Sequence, residues 1–586
     1  MDAVCMKIRI ARTAGFCMGV RRAVDMALDL QRQNPPQPIV TYGPLIHNPQ
    51  TLEILRSKGI REIRSLDEVT EGTVVIRAHG VSPQEKEILR SKNVKIIDAT
   101  CPRVARVQAI IKKHALKGHF CLIVGDEDHP EVRGLMGFAT PGGGIVVSSP
   151  VQAAMLKNVP WDRDICVVAQ TTQDLEGFER AVACIREQAT RISVYNTICD
   201  STRKRQAEVE RLATQADLIV VVGGKGSANT RRLAQVAETH GVPAIQVETE
   251  EELPSDALQN AEVVGVTAGA STPNWQIRNV IDRLREIGMT QNGGVTDWLR
   301  RIAEVLVMTY VIAALAGTGL TAACLTLQQK PMHWLPLVIS TLFVFSMHIL
   351  HRLQDRSGAV RFNTPQVAAF YGRYRRVLWA LGVLSSLGAA AFSFFMGVAH
   401  GLFLVGMQLT GFLFSVRVLP EKWFPRARWR SLRELPGAKS PIVALGWGSA
   451  VAVLPVIGSL DQGGWASLAA AFCFAAGMVL WRGLFSDLLD IQGDRIVGYE
   501  TLPILLGPRR TRFLLGGLLG LLGVGLFIAA TLGIIAKIGY VLTMNVALFG
   551  LLYGMTQRRH VVDRLVVEGL TDGNLLLAGL LSIVYG

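Results

Sequence analysis

No two of the nine cysteines form a Cys-x-x-Cys pair, and none shows the tight spacing of a small secreted domain. In a chain of 586 residues this argues against a disulfide framework and for reduced, cytosolic thiols. The short ligand spacing of a structural zinc site is also lacking. Met1 to Arg12 contain no apolar stretch followed by a small-residue cleavage site, so no signal peptide is expected. The net charge of +14 is not gathered into a nucleic-acid patch. Much of it lies in short loops between apolar segments, where membrane topology accounts for it, and no nucleic-acid partner is expected.

What is present falls into two halves, since 586 residues are too many for one core. Residues 1–288 have ordinary globular character. Thr73-Val-Val-Ile-Arg, Phe120-Cys-Leu-Ile-Val, Ile165-Cys-Val-Val-Ala, Leu218-Ile-Val-Val-Val and Val263-Val-Gly-Val-Thr read as buried strands. Pro83–Ser91, Arg103–Lys117 and Thr202–Thr214 read as helices between them, which implies an α/β fold of mostly parallel sheets. A linker is expected at 289–299, where Met289-Thr-Gln-Asn-Gly-Gly-Val-Thr-Asp lies. Residues 300–586 alternate long apolar stretches with basic loops, the membrane class, and raise the mean hydropathy of the whole chain to +0.31.

Three distant cysteines share one local setting, a strand-to-helix turn: Cys17 in Gly15-Phe-Cys-Met-Gly, Cys101 in Asp98-Ala-Thr-Cys-Pro and Cys199 in Asn196-Thr-Ile-Cys-Asp. A thiolate at a helix start is stabilised by unpaired amides, which suits a metal ligand. Three such thiolates brought to one point can hold a cubane iron–sulfur cluster with one iron left open. The competing reading is three ordinary buried cysteines, as expected of Cys5, Cys121, Cys166 and Cys184. His47, His79 and His129 each follow an apolar run beside glycine or proline and point to an anionic or protic ligand. Glu131, two residues past His129, is a candidate proton donor if kept from bulk water. Ser227 and Asn229, with Ser271, lie after glycine-rich strand ends, where amides and hydroxyls bind phosphate oxygens. Gln170-Thr171-Thr172 is a further polar strand end.

On these motifs, in this order, residues 7–287 resemble the 4-hydroxy-3-methylbut-2-enyl diphosphate reductase (LytB) family. The match adds Gly43-Pro-Leu-Ile-His-Asn, Arg77-Ala-His-Gly, His129-Pro-Glu-Val and Thr267-Ala-Gly-Ala-Ser-Thr-Pro. The resemblance implies a three-lobed, pseudo-threefold α/β fold and a [4Fe–4S] cluster on Cys17, Cys101 and Cys199. It implies a diphosphate held by His47, His79, His129, Ser227, Asn229 and Ser271, with Glu131, Thr171 and His129 moving protons. Ala228 stands where the family often has a second serine. The resemblance further implies ferredoxin or flavodoxin as electron donor. A redox sensor without turnover is the rival reading, and it needs no diphosphate pocket.

About nine apolar segments are expected in the second half: 301–325, 334–351, 377–396, 398–418, 441–459, 465–486, 513–531, 533–553 and a short 573–586. Arg352, Arg356, Arg361, Arg373, Arg375 and Arg376, then Lys422, Arg426, Arg428, Arg430, Arg433 and Lys439, crowd alternate loops. Arg495, Arg509 and Arg510, then Arg558, Arg559 and Arg564, continue the pattern. By the positive-inside rule these loops and the first half face the cytoplasm, making a multi-pass protein of the cytoplasmic membrane. Asp487, Asp490 and Asp494 recur at helical spacing and are a candidate Mg2+ site. With Leu432-Arg-Glu-Leu-Pro-Gly-Ala-Lys they resemble the UbiA prenyltransferase family. The family's other acidic motif keeps only Asp355, with His348 and His351 in place of acids, so two expectations stand. The membrane half either tethers the reductase or also transfers prenyl groups.

Overall fold

The computed structural model describes residues 6–33, 37–258, 261–291, 295–355, 358–416, 432, 435–459, 464–556 and 563–585. The chain divides into two compact units, Met1–Gly293 and Gly294–Gly586. Helices cover Asn274–Gln291 and Val295–Met308, so both reach into the segment expected to be a linker.

Among the described residues the first unit has twelve strands: β1 Lys7–Ile10, β2 Ile39–Tyr42, β3 Ile60–Ile63, β4 Thr73–Ile76, β5 Lys95–Asp98, β6 Phe120–Val124, β7 Gly144–Val147, β8 Ile165–Ala169, β9 Ile192–Tyr195, β10 Leu218–Val222, β11 Ala244–Val247 and β12 Val263–Ala268. They form three four-stranded sheets with the orders β1-β12-β10-β11, β3-β2-β4-β5 and β7-β6-β8-β9. Every pairing is parallel, as helical crossovers require. β4, β8 and β10 are buried at every position, which is why they read as unbroken apolar runs. β5 and β9 lie at sheet edges, are half-exposed, and carry polar residues that hide them in the sequence. β1 pairs with β12, Lys7 opposite Val263, so the two ends of the unit complete one lobe. Three lobes result, one sheet each.

The helix starts are chemically marked. Proline follows the cap at Asn48, Ser82 and Cys101, and Ser82 with Glu85 closes a reciprocal capping box. The helix expected from Thr202 begins at Asp200, directly after Cys199.

Among the described residues of the second unit seven helices are long and apolar enough to cross a membrane: Trp334–Gln354, Arg375–Met396, Lys439–Val456, Gly464–Leu489, Pro508–Thr531, Ile538–Thr556 and Arg564–Tyr585. The expected span 301–325 is instead broken, with Trp298–Met308 and Val311–Leu327 meeting at 68°. At the break Tyr310 stacks on His348, ring centroids 4.7 Å apart. The apolar helix Val398–Phe414 is too short to count as a span by itself. The expected short final segment is a full helix from Arg564. Its polar residues Thr571, Asp572 and Asn574 turn into the protein and are buried, so hydropathy alone starts it too late. Bare backbone lets this helix approach Val311–Leu327, where a Cβ on Gly579 would lie 2.2 Å from Gly319 Cα.

Asp487 ends one helix and Asp494 lies on the next, Ile491–Val497, so the three aspartates do not ride one continuous helix. Arg564, counted above as a loop charge, is buried. Cys5, Arg356, Lys422, Arg426, Arg428, Arg430, Arg433, Arg558 and Arg559 lie outside the described residues.

Candidate active site

The pseudo-threefold layout sorts residue types by strand position. Each cysteine follows an edge strand: Cys17 after β1, Cys101 after β5 and Cys199 after β9. The other candidates follow the inner strands: His47 after β2, His79 after β4, His129 and Glu131 after β6, and Thr171 after β8. Ser227, Ala228 and Asn229 follow β10, and Ser271 follows β12. One sheet edge per lobe thus supplies sulfur, and the two central strands supply polar groups.

All three cysteines are helix N-caps, and the Cys17 Sγ accepts the Val20 amide at 3.4 Å. Their turns interlock in a ring. A Cβ on Gly19 would stand 2.5 Å from Cys101 Sγ, so only glycine admits the second cysteine against the first helix. Arg22 donates to Thr100 O at 3.0 Å, and Arg103 pairs with Asp200 at 2.9 Å, beside Cys199. Arg205, buried on the third helix, donates to Gly15 O beside Cys17. Burial pushes the Cys101 thiol up, the amides of Arg103 and Val104 favour its thiolate, and Cys17 and Cys199 add like-charge repulsion. Burial pulls the Arg205 guanidinium below its ordinary value, while Cys17 and Cys199 act in the opposite direction and favour its charge. Three half-buried thiols, helix-end amides and one buried cation are a donor set that fits an iron–sulfur cluster. Cys121 and Cys166 are buried on neighbouring strands, where ordinary core cysteines were expected.

His47, His79 and His129 meet, with ring centroids 4.6, 5.5 and 5.3 Å apart. One nitrogen from each lies within 4.8 Å of the others. His129 Nδ1 accepts the Glu131 amide at 3.1 Å, so the neutral ring carries its proton on Nε2. His47 Nε2, His79 Nδ1 and Asn229 Nδ2 are buried and have no hydrogen-bond partner among the described residues. Groups of this kind are satisfied by a ligand or by water. Burial holds His47 and His79 below the usual imidazole range, with Arg77 adding to the effect at both. His129 is pushed down to about 3 by burial, then by His47, Arg77, Arg231 and Arg232. A field made by three arginines repels a cation and attracts an anion, so a diphosphate suits this trio better than a metal ion.

Glu131 is 2% exposed. Its Oε1 accepts the Thr171 amide and its Oε2 the Thr171 hydroxyl, both at 2.7 Å. Burial raises its pKa, against those two bonds. Ser227 caps Ala228–Thr239 through Thr230, Ala228 is buried at its first position, and Ser271 Oγ donates to His47 O at 2.9 Å. Arg205 and Arg231 carry no signal in the sequence that sets them apart, whereas Arg77 stands directly after β4, which is a usable one.

The second unit holds a polar cavity of about 180 Å³ lined by Asp355, Asp487, Asp490, Asp494, Arg352 and Arg564 among others. An apolar cavity of about 610 Å³ shares His348, His351, Val443 and Phe414 with it. Asp487, Asp490 and Asp494 are buried rather than solvated. Asp487 accepts Lys439 at 2.9 Å and Ser440 at 2.6 Å, Asp490 pairs with Arg564 at 3.2 Å, and Asp494 Oδ1 accepts Asn363 at 2.9 Å. Asp494 Oδ2 is buried without a hydrogen-bond partner among the described residues. His351 Nε2 bonds Gly411 O at 2.7 Å, so this ring is occupied structurally.

The LytB protein family profile matches residues 8–285. The 4-hydroxy-3-methylbut-2-enyl diphosphate reductase of Syntrophotalea carbinolica is 39% identical over 282 residues, 48% of this chain and 99% of that protein. A solved (E)-4-hydroxy-3-methyl-but-2-enyl diphosphate reductase, described as the terminal enzyme of the non-mevalonate pathway, is 38% identical. It covers 48% of this chain and 99% of its own, with a TM-score of 0.38. A solved UbiA homolog from Archaeoglobus fulgidus, bound to GPP and Mg2+, is 15% identical. It covers 48% of this chain and 99% of its own, with a TM-score of 0.36. Through its first unit, where the ordered motifs and the near-complete coverage of a reductase coincide, the chain belongs to the LytB family.

Proposed function

We infer that this chain is a 4-hydroxy-3-methylbut-2-enyl diphosphate reductase tethered to a helical membrane unit. The reaction takes two electrons and two protons, breaks the carbon–oxygen bond of the allylic hydroxyl, releases water and leaves isopentenyl and dimethylallyl diphosphate. The observation that carries this reading is the adjacency of two devices on one threefold frame: the ring of three cysteine turns and the histidine trio with orphaned nitrogens.

Cys17, Cys101 and Cys199 would hold a [4Fe–4S] cluster, which supplies electrons and an open iron for the substrate hydroxyl. The remaining roles belong to side chains. His47, His79, His129, Ser227, Asn229 and Ser271 grip the diphosphate and fix the hydroxyl end in place. Ala228 offers no hydroxyl, a loss of about 1 kcal/mol of phosphate contact. Glu131 keeps a proton to higher pH than an exposed carboxyl, and Thr171, bonded to it, passes that proton toward the substrate. His129, held as the Nε2 tautomer, donates to the same ligand.

Ferredoxin or flavodoxin is the electron donor in this reading, and the basic loops in the sequence support a first unit on the cytoplasmic side. A sensor without turnover would leave the anion pocket unexplained. Preparation without air, with iron analysis and reduction of the substrate by a chemical reductant, tests the assignment. A chain that binds no iron, or that binds iron and leaves the substrate intact, would refute it.

For the membrane unit, a charged cavity beside a larger apolar one suits an amphiphile with an anionic head. That arrangement favours a second reading, in which the unit also acts on prenyl diphosphates. Asp487, Asp490 and Asp494 would then hold Mg2+, with the orphaned Asp494 Oδ2 as first ligand and the ion there to neutralise a diphosphate. Incubation with labelled prenyl diphosphate, Mg2+ and membrane lipids separates tether from transferase by the presence of prenylated product.

A further inference from the structure

The histidine trio brings hydrogen-bond donors but no charge of its own. Burial and nearby cations hold all three rings below the usual imidazole range, so near pH 7 they are neutral. A diphosphate is multiply charged at that pH, and an anion taken out of water is costly unless a cation meets it.

Three arginines act on the trio: Arg77 on His47, His79 and His129, Arg231 on His47 and His129, and Arg232 on His129. They are not equivalent. Arg232 is committed to two carboxylates, Asp174 at 2.6 Å and Asp126 at 3.5 Å. Arg231 is exposed, where water and salt screen it. Arg77 is half-buried directly after β4, and no ion pair engages it among the described residues. Glu85, the acid that favours its charge most, has both oxygens in use, Oε1 by the Tyr42 hydroxyl at 2.8 Å and Oε2 by the Ser82 amide at 2.7 Å. The guanidinium meets the Tyr42 ring instead, 5.5 Å from its centroid.

The placement of Arg77 is as specific as its charge. Its Nε donates to Gly80 O at 3.3 Å, next to His79. On its other side lies Gly43, which opens the turn leading to His47. The three atoms nearest to where a Cβ on Gly43 would stand are Nη1, Cζ and Cδ of Arg77, so the bare glycine, at φ +70°, leaves room for the guanidinium. One side chain thus spans the two turns whose histidine rings meet at 4.6 Å. Around it Tyr42, Glu85 and Glu62 favour its charge, while burial and Arg133 oppose it. Around the trio stand the three arginines, the rings themselves and Glu131, whose amide donates to His129.

We propose that Arg77 is a positioning residue for the diphosphate: it braces the turns of His47 and His79 and supplies the fixed positive charge against which the anion binds. The proposal rests on the reductase reading and adds a residue that sets substrate affinity.

The test uses the full chain in nanodiscs, prepared without air, as wild type, Arg77→Met and Arg77→Lys. Pyrophosphate binding is measured by calorimetry in EDTA at pH 6 and pH 8, iron content is checked, and substrate reduction is driven by reduced methyl viologen. At pH 8 Arg77→Met should raise KM and the pyrophosphate Kd by about tenfold or more, with kcat within threefold and iron unchanged. At pH 6 the Kd gap should narrow to about threefold, because rings freed from the guanidinium field take up protons themselves. Arg77→Lys keeps the charge and should stay within threefold of wild type at both pH values. Arg77→Met with wild-type KM and Kd at pH 8 would overturn the proposal. So would a gap that is equal at both pH values and shared in full by Arg77→Lys, which would leave Arg77 a brace alone. Failure of the reductase reading looks different: wild type then turns nothing over with viologen, and the pyrophosphate comparison still decides the role of Arg77.

Discussion

Glu131 and Thr171 are joined twice, carboxylate to amide and carboxylate to hydroxyl, both at 2.7 Å, across the carboxyl ends of two neighbouring strands. The pairing fixes the acid's orientation and sets a hydroxyl within hydrogen-bond reach of it. Glu131→Gln keeps the shape and removes the acid. We expect kcat to fall by about 10²-fold or more with KM and iron content little changed. Full activity of the Gln variant in steady-state assays would remove Glu131 from the proton path.

The same carboxyl ties stability to pH. Its folded pKa is raised, by burial first, so the folded chain holds this proton more tightly than the unfolded chain. The contribution is complete below the unfolded carboxyl value and is lost as pH rises through the folded one. The Tm of Glu131→Gln relative to wild type should therefore climb from acid toward alkaline pH. A difference that stays flat across that range would mean the acid is not buried as described.

For His47, His79 and His129 the sign reverses. Their folded values are depressed, so the free protein carries neutral rings near pH 7 and loses stability as pH falls below the unfolded value of 6.5. A diphosphate bound there would draw protons back onto them. Calorimetry with inorganic pyrophosphate in buffers of different ionisation enthalpy should show net proton uptake, with tighter binding at pH 6 than at pH 8. His47→Asn should keep a donor and lose part of that uptake. Uptake equal to that of pyrophosphate's own titration would leave the trio no part in binding.

Gly19 sets two local preferences against each other. Within a helix, Gly→Ala is ordinarily worth about 0.5–1 kcal/mol of stability. Here the added Cβ would stand 2.5 Å from Cys101 Sγ. Gly19→Ala should fold with an unchanged far-ultraviolet spectrum and bind less than half the wild-type iron. Cys17→Ser, Cys101→Ser and Cys199→Ser should each do the same, while Cys166→Ser, deep in the core, should lower Tm and leave iron content alone. Normal iron in Gly19→Ala would refute the close approach of the first two cysteine turns.

How far the sequence could be read depends on where each residue faces. β10 was legible because both of its faces are covered and all five of its residues are apolar. β5 and β9 had no such apolar run, since half-exposed edges tolerate Lys95, Asp98 and Ser193, and only the cysteine turns after them pointed to strands there. The cysteine turns were legible through repetition of context, and so were His47, His79 and His129. Arg205 was not, because a buried arginine looks like its exposed neighbours Arg203 and Lys204 until its partner Gly15 is known. The last membrane helix was misjudged for the converse reason: hydropathy counts Asp572 against a span without seeing the cation that holds it.

That cation is Arg482, which meets both oxygens of Asp572 through Nε and Nη2 in a fully buried fork between Gly464–Leu489 and Arg564–Tyr585. Removing one partner strands the other charge in a medium that cannot solvate it, a cost of about 3–5 kcal/mol. Removing both deletes the two desolvation penalties along with their attraction. Arg482→Met and Asp572→Leu should thus each lower the Tm of the detergent-solubilised chain strongly, and the double variant should recover most of that loss. Additive losses in the double variant would show that the two residues stabilise the helices independently and that their pairing is incidental.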